Sequence, residues 1–165
     1  MDVTFWLHLL KFLHIGGLIL WLGPSGGAWL LIQVAKRRLD PHSREYAELY
    51  LDFVRFFPVE HFGLLLLLGS GLGMLAIYGF SALSWAWLKW KLVLVVCVIV
   101  PIEIGDIWFG HFRLPRWFRS SQRDSDLQHS GNELERYENR FVPLTLPILL
   151  ITVVGIIWLA VARPM

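Results

Sequence analysis

The sequence predicts an all-α protein, a polytopic membrane four-helix bundle with both termini outside and two basic loops inside. Three observations predict it. The 165 residues are 56% hydrophobic and 15% aromatic, with nine tryptophans, whereas an ordinary soluble domain is ~45–50% apolar. Four apolar blocks each exceed the ~20 residues with which a helix crosses ~30 Å of hydrocarbon, and none shows the period-two alternation of a membrane β-barrel. Eleven of the fifteen basic residues fall in two polar segments between the blocks.

The chain reads as one transmembrane domain, residues 1–165, with helices at about 5–34, 56–80, 85–112 and 133–162. The opening MDVTFW lacks a basic leader, so the first block is expected to be retained. Its LGPSGGAW (22–29) contains Pro24, which removes a backbone hydrogen bond and kinks a helix. Gly23 and Gly27, like Gly69 and Gly73 in the second helix, have the four-residue spacing that lets helices approach closely in lipid. GSGLG (69–73) follows no strand and precedes no phosphate-binding lysine, so it reads as packing surface.

The first loop, about 35–55, carries Lys36, Arg37, Arg38, Arg44 and Arg55. A short turn near Ser81–Ser84 leads to the third helix, in which Pro101 is a second expected kink. The second loop, about 113–132, and the segment after it carry Arg113, Arg116, Arg119, Arg123, Arg136 and Arg140. Ser130 or Asn132 is the expected cap of the fourth helix, and His129 reads as solvated. Lysine and arginine concentrate on the cytoplasmic side, which places both loops inside. The net charge of +2 is therefore a topology signal, with no call for a nucleic-acid partner. Cys97, the lone cysteine, excludes an internal disulfide and a thiolate cluster.

Ionisable groups inside the spans are the candidate functional residues, since a charge at mid-bilayer costs at least ~2.5–3.5 kcal/mol. Glu103 and Asp106, three residues apart, share a helix face. Counting rise per residue puts Asp106 ~10 Å and Glu103 ~15 Å from the inner end of their helix, with Glu60 and His61 ~8–9 Å into theirs. These four are expected in one layer of the inner half, with His111 nearer the surface and Arg55 or Arg140 within reach. Carboxylates with an imidazole suit a divalent metal ion, a proton relay, or a plain hydrogen-bonded cluster with one acid protonated by burial. A second polar set lies in the outer half: His8, Lys11 and His14 on the first helix, Lys89 and Lys91 on the third. His8 and Lys89 are close enough to the surface to snorkel. His14 suits a haem or metal ligand, or a satisfied core histidine, and at its depth it does not share one haem with His61.

LKFLHIGGLILWLG (10–23) resembles the opening helix of the bacterial four-helix membrane protoporphyrinogen oxidases. WLKWKLVLV (87–95) resembles their third helix, and WLAVARP (158–164) their terminal one. The pattern is also similar to copper-resistance D proteins and to a family of predicted integral membrane proteins. The oxidase resemblance implies a multi-pass protein of the bacterial inner membrane, an oxidoreductase with haem b in the bundle. His14 and Lys91 stand at the functional histidine and lysine, with Lys91 near the propionates or the substrate. The chain departs from that pattern in two ways: ENRFVPLTLP (138–147) has no acid after its asparagine, where the oxidases carry N-E-x-P, and neither the Glu103–Asp106 pair nor the Glu60–His61 dipeptide belongs to the resemblance.

Three functions remain open at this level. The first is a haem b redox protein using His14 and Lys91. The second is a protein that binds or transports a metal ion through Glu60, His61, Glu103 and Asp106, with His14 a further candidate ligand. The third is an accessory subunit, in a homo-oligomer or a larger membrane complex, whose tryptophans and glycine faces serve helix contacts in the lipid bilayer.

Overall fold

The computed structural model describes residues 2–40, 43–54, 57–113 and 137–162, and the regular structure among them is all helical. The chain divides into two compact units, residues 1–82 and 83–165. Arg55, His129, Ser130, Asn132, the arginines at 116, 119, 123 and 136, the start of the fourth helix at 133 and the closing Arg163–Pro164 lie outside the described residues, as does the side chain of His111.

In the first unit, α1 (Val3–Lys36) is 34 residues long, about 51 Å at 1.5 Å per residue, so it outruns the hydrocarbon layer. Asp2 caps it by accepting the Thr4 N–H at 3.2 Å, and Lys36 in the last turn opposes the negative end of the helix dipole. α3 (Phe57–Tyr78) follows. It stops at Gly79, whose φ of 79° is left-handed, a conformation that suits glycine just past a helix end. The turn after it is a 3-10 helix, Phe80–Ser84.

The segment expected as a loop over 35–55 contains a helix, α2 (Arg44–Val54). Ser43 caps it, accepting the Tyr46 N–H at 3.2 Å. Tyr46 and Tyr50, four residues apart, are buried, and Tyr50 meets the Phe53 ring edge-on at 5.9 Å. An aromatic stripe at spacings of four and three therefore folds this stretch. The exposed Glu45, Glu48 and Asp52 dominate its composition and make it read as loop.

α1 and α3 pack against each other along their length, and two glycines make that possible. A Cβ on Gly17 would lie 2.7 Å from Leu67 N and 2.8 Å from Gly63 O. A Cβ on Gly63 would lie 2.5 Å from Trp21 N. The α1 face in use runs Leu10, His14, Gly17, Trp21, at helical spacings of four, three and four. Gly23 and Gly27 are off that face, and a Cβ there, or on Gly69, would meet nothing within 4 Å. This corrects the expectation that these glycines make the close contact. Gly73 does face α1, against the Leu10 side chain.

In the second unit the third span is continuous helix built of four pieces. They are α4 (Ala86–Leu94), a π segment (Val95–Ile99), α5 (Val100–Ile107) and a second π segment (Trp108–Arg113). The fourth span is a π segment (Tyr137–Phe141) followed by α6 (Val142–Ala162). Two π segments, Val95–Ile99 and Tyr137–Phe141, end two residues before a proline within helix, Pro101 and Pro143. A proline ring has no N–H and clashes with the carbonyl one turn back. Widening that turn relieves the clash, and this is the form the expected disruption at Pro101 takes. Pro24 and Pro147 are accommodated inside α-helix instead.

The outward faces are apolar. Phe12, Ile15 and Ile19 on α1, Phe62, Leu65 and Leu72 on α3, and Leu144, Ile151 and Trp158 on α6 are all exposed. Water would not tolerate apolar surface of that extent on a stable monomer, whereas lipid would. α1 and the stretches Glu48–Tyr78 and Tyr137–Ala162 are long and apolar enough to cross a membrane.

Candidate functional site

Two polar centres stand out, one in each unit. In the first, the α1–α3 contact carries His14 against α3. Its Nδ1 lies 2.9 Å from the Leu67 carbonyl oxygen and 3.1 Å from Ser70 Oγ. A carbonyl oxygen only accepts, so Nδ1 must carry the proton and donate. In the neutral ring the lone pair is then on Nε2, the form in which an imidazole ligates iron. Gly71 makes room for the ring: a Cβ there would lie 3.3 Å from His14 Cε1. His8 and Lys11, on the same helix, are exposed.

Glu60 and His61 also belong to the first unit. Glu60 is buried in the first turn of α3, where a carboxylate suits the positive end of the helix dipole. His61 is half-buried, with Nε2 enclosed. Nine residues separate His61 from Ser70, ~14 Å along the helix, so His61 and the partners of His14 occupy different levels.

The second centre is built on α5 and the start of the fourth span. Glu103 is buried at 6% exposure and Asp106 is half-buried. The Tyr137 hydroxyl donates to Asp106 Oδ1 at 2.5 Å. Tyr137 is itself buried and stacks on Phe109 at 5.1 Å and on Phe141 at 5.3 Å. Phe141 in turn covers Gly105, whose absent Cβ would sit 3.3 Å from that ring. The acidic pair thus lies in the short α-helical stretch between two π segments, beside a three-ring aromatic ladder. Lys91, on α4, is half-buried and Lys89 exposed.

Residues that the sequence groups by depth divide between the units: His14, Glu60 and His61 in the first, Lys91, Glu103 and Asp106 in the second. Among the described residues, no three His, Cys, Asp or Glu side chains form a group able to hold a metal ion. Sequence reasoning missed Ser70, Gly71, Tyr137, Phe109 and Phe141. Ser70 and Gly71 sit inside a run read only as packing surface. The signal for Tyr137 was its spacing of four from Phe141, hidden by the charged residues around it.

The Asp106–Tyr137 bond sets a measurable expectation. Tyr137→Phe removes a hydrogen bond to an acidic group and should cost about 1.5–3 kcal/mol, read as the unfolding free energy in mixed micelles. The double variant with Asp106→Asn should be less than additive. Full additivity would show the two side chains to be energetically independent.

A family described as predicted integral membrane protein (DUF2269) matches residues 8–164. No curated protein and no solved structure matches the chain.

Proposed function

We propose, for a chain that belongs to the DUF2269 family of predicted integral membrane proteins, the role of a haem-b-binding redox protein in which His14 would hold the iron. One hydrogen bond carries this role: Nδ1–H of His14 to the Leu67 carbonyl at 2.9 Å. Metal-ligating histidines almost always donate their second nitrogen in this way, which fixes the tautomer and raises ligand basicity. Glycine at 71 lets the ring lie against α3.

When bound, the haem supplies one-electron transfer at its iron. The chain contributes orientation and charge. His14 is held by its helix neighbours, and Lys91, in the second unit, stands at the functional lysine of the oxidases that the chain resembles. The resemblance to the four-helix protoporphyrinogen oxidases supports the same pair. It also supports a bacterial inner membrane setting, and the placement of lysine and arginine supports termini outside and basic loops inside. A homo-oligomer or a larger complex would supply the electron partner.

A second reading rests on different residues. Glu60 and Glu103 are both buried in helices apolar enough for lipid, and carboxylates there accompany ion or proton handling. Glu103 and Asp106, on one helix face of the second unit, would then serve a divalent metal ion.

Purification from haem-replete cells, with an absorption spectrum and elemental analysis, separates these readings. Iron with a Soret band supports the first. A divalent metal without a Soret band, lost in Glu103→Gln or Asp106→Asn, supports the second. Neither, with a copurifying partner, supports an accessory subunit and overturns both.

A further inference from the structure

Lys91 stands in α4, which begins at Ala86, so its backbone lies ~8 Å below the start of the helix. It is half-buried, and among the described residues it has neither a hydrogen bond nor an ion pair. A cation inside an apolar span is costly unless it is paired or reaches the interface. Lys89, two residues earlier, is exposed and takes the second course. Residues two apart do not share a helix face, so Lys91 is turned to another side. Trp87 does share the face of Lys91, one turn nearer the membrane surface. Its ring stacks on Trp85 at 5.8 Å, and tryptophans at the end of a span mark the level of the lipid headgroups. Helix side chains lean toward the helix N-terminus, which carries the ammonium of Lys91 back toward Trp87 and that level. Trp90, beside Lys91 in the chain, is exposed, so the helix surface next to the amine is one that acyl chains cover.

We infer that Lys91 is the seat of an anionic phospholipid, from the leaflet on the side where α4 begins. The ammonium holds the lipid phosphate at the level of Trp87, and the acyl chains run down the apolar surface of the third span. The charge of the seat selects the lipid. A headgroup of net negative charge supplies the counter-charge that Lys91 lacks, whereas a zwitterionic lipid brings its own cation beside its phosphate. The depth of the seat favours a lipid over a free anion. A soluble phosphate would have to shed its water to reach a half-buried amine in an apolar span, and a phospholipid arrives with its phosphate already at that depth. The inference goes beyond the haem reading and is independent of it, since His14 belongs to the other unit.

The test uses the full chain, delipidated in detergent and titrated with phosphatidylglycerol or phosphatidylcholine, with lipid-bound species counted by native mass spectrometry. The wild type should bind one phosphatidylglycerol about 5-fold more tightly than phosphatidylcholine, the contribution of one lysine near an anionic membrane surface. Lys91→Met and Lys91→Gln should lose that preference, and Lys91→Arg, which keeps the charge, should retain it. Neither neutral variant threatens the fold, because each removes an uncompensated charge from an apolar span. Lys89→Met should behave as the wild type. Inorganic phosphate should displace no more lipid than sodium chloride of the same ionic strength. Equal affinity of the wild type for the two lipids, or a preference unchanged in both neutral variants, would overturn the inference. So would a loss in Lys89→Met as large as in Lys91→Met, which would mark a diffuse surface attraction. Specific displacement by inorganic phosphate would make Lys91 a seat for a free anion and overturn the assignment to a lipid.

Discussion

Gly63→Ala is expected to weaken the contact of α1 with α3 and strongly destabilise the first unit. The added Cβ would sit 2.5 Å from Trp21 N, 2.7 Å from Leu20 C and 2.8 Å from Leu20 Cβ. Two of these are backbone atoms, so no side-chain rotation relieves the clash. Trp21, itself 1% exposed, cannot yield without moving the helix. Overpacking of a well-filled core costs about 1–3 kcal/mol, and a collision with helix backbone belongs at the top of that range. Helix association in lipid depends on such close approach, because no hydrophobic effect drives it there. Unfolding in mixed micelles should therefore show a loss of about 3 kcal/mol. Gly27→Ala, where the new Cβ meets nothing within 4 Å, is the control and should leave the midpoint unchanged. Equal effects at both positions would mean that the helices do not meet at Gly63.

If His14 holds haem b as proposed, His14→Ala is expected to abolish haem binding while leaving the fold in place. His14 is only half-buried, and its loss opens space beside Gly71 without creating a clash. What is lost is the ligand atom and the bond to Leu67 O. The variant should fractionate with membranes and elute like the wild type, yet carry no Soret band. His61→Ala serves as the comparison. His61 lies ~14 Å along α3 from the His14 seat, so that variant should keep its haem. Haem lost from His61→Ala and retained in His14→Ala would move the ligand to the other histidine.

Much of the architecture was legible because lipid imposes simple rules. Apolar blocks longer than a bilayer, separated by arginine-rich segments, predict spanning helices, and α1 and α3 occupy the first two blocks. The shared face of Glu103 and Asp106 followed from their spacing of three. The partner of Asp106 did not. Tyr137 lies next to ELER and ENR, and charge there masks the aromatic spacing that carries it into the site. The close helix contact was hidden for another reason. Several glycines have suitable spacing, and the choice of Gly17 and Gly63 depends on which faces of α1 and α3 meet. That in turn depends on long-range packing of side chains such as Trp21 and Leu10. Two of the π segments follow from the prolines two residues beyond them, but only some prolines demand one, since Pro24 and Pro147 are absorbed without it. For His14, the sequence supplied a histidine in an apolar helix. Its tautomer, and so its fitness as a ligand, came from a carbonyl more than fifty residues away.

The most direct test is the reduced-minus-oxidised difference spectrum of the wild-type chain, purified from haem-replete cells and held in lipid nanodiscs. A ligating His14 predicts a b-type spectrum at about one haem per chain. A colourless chain, with α1 and α3 intact, would contradict it.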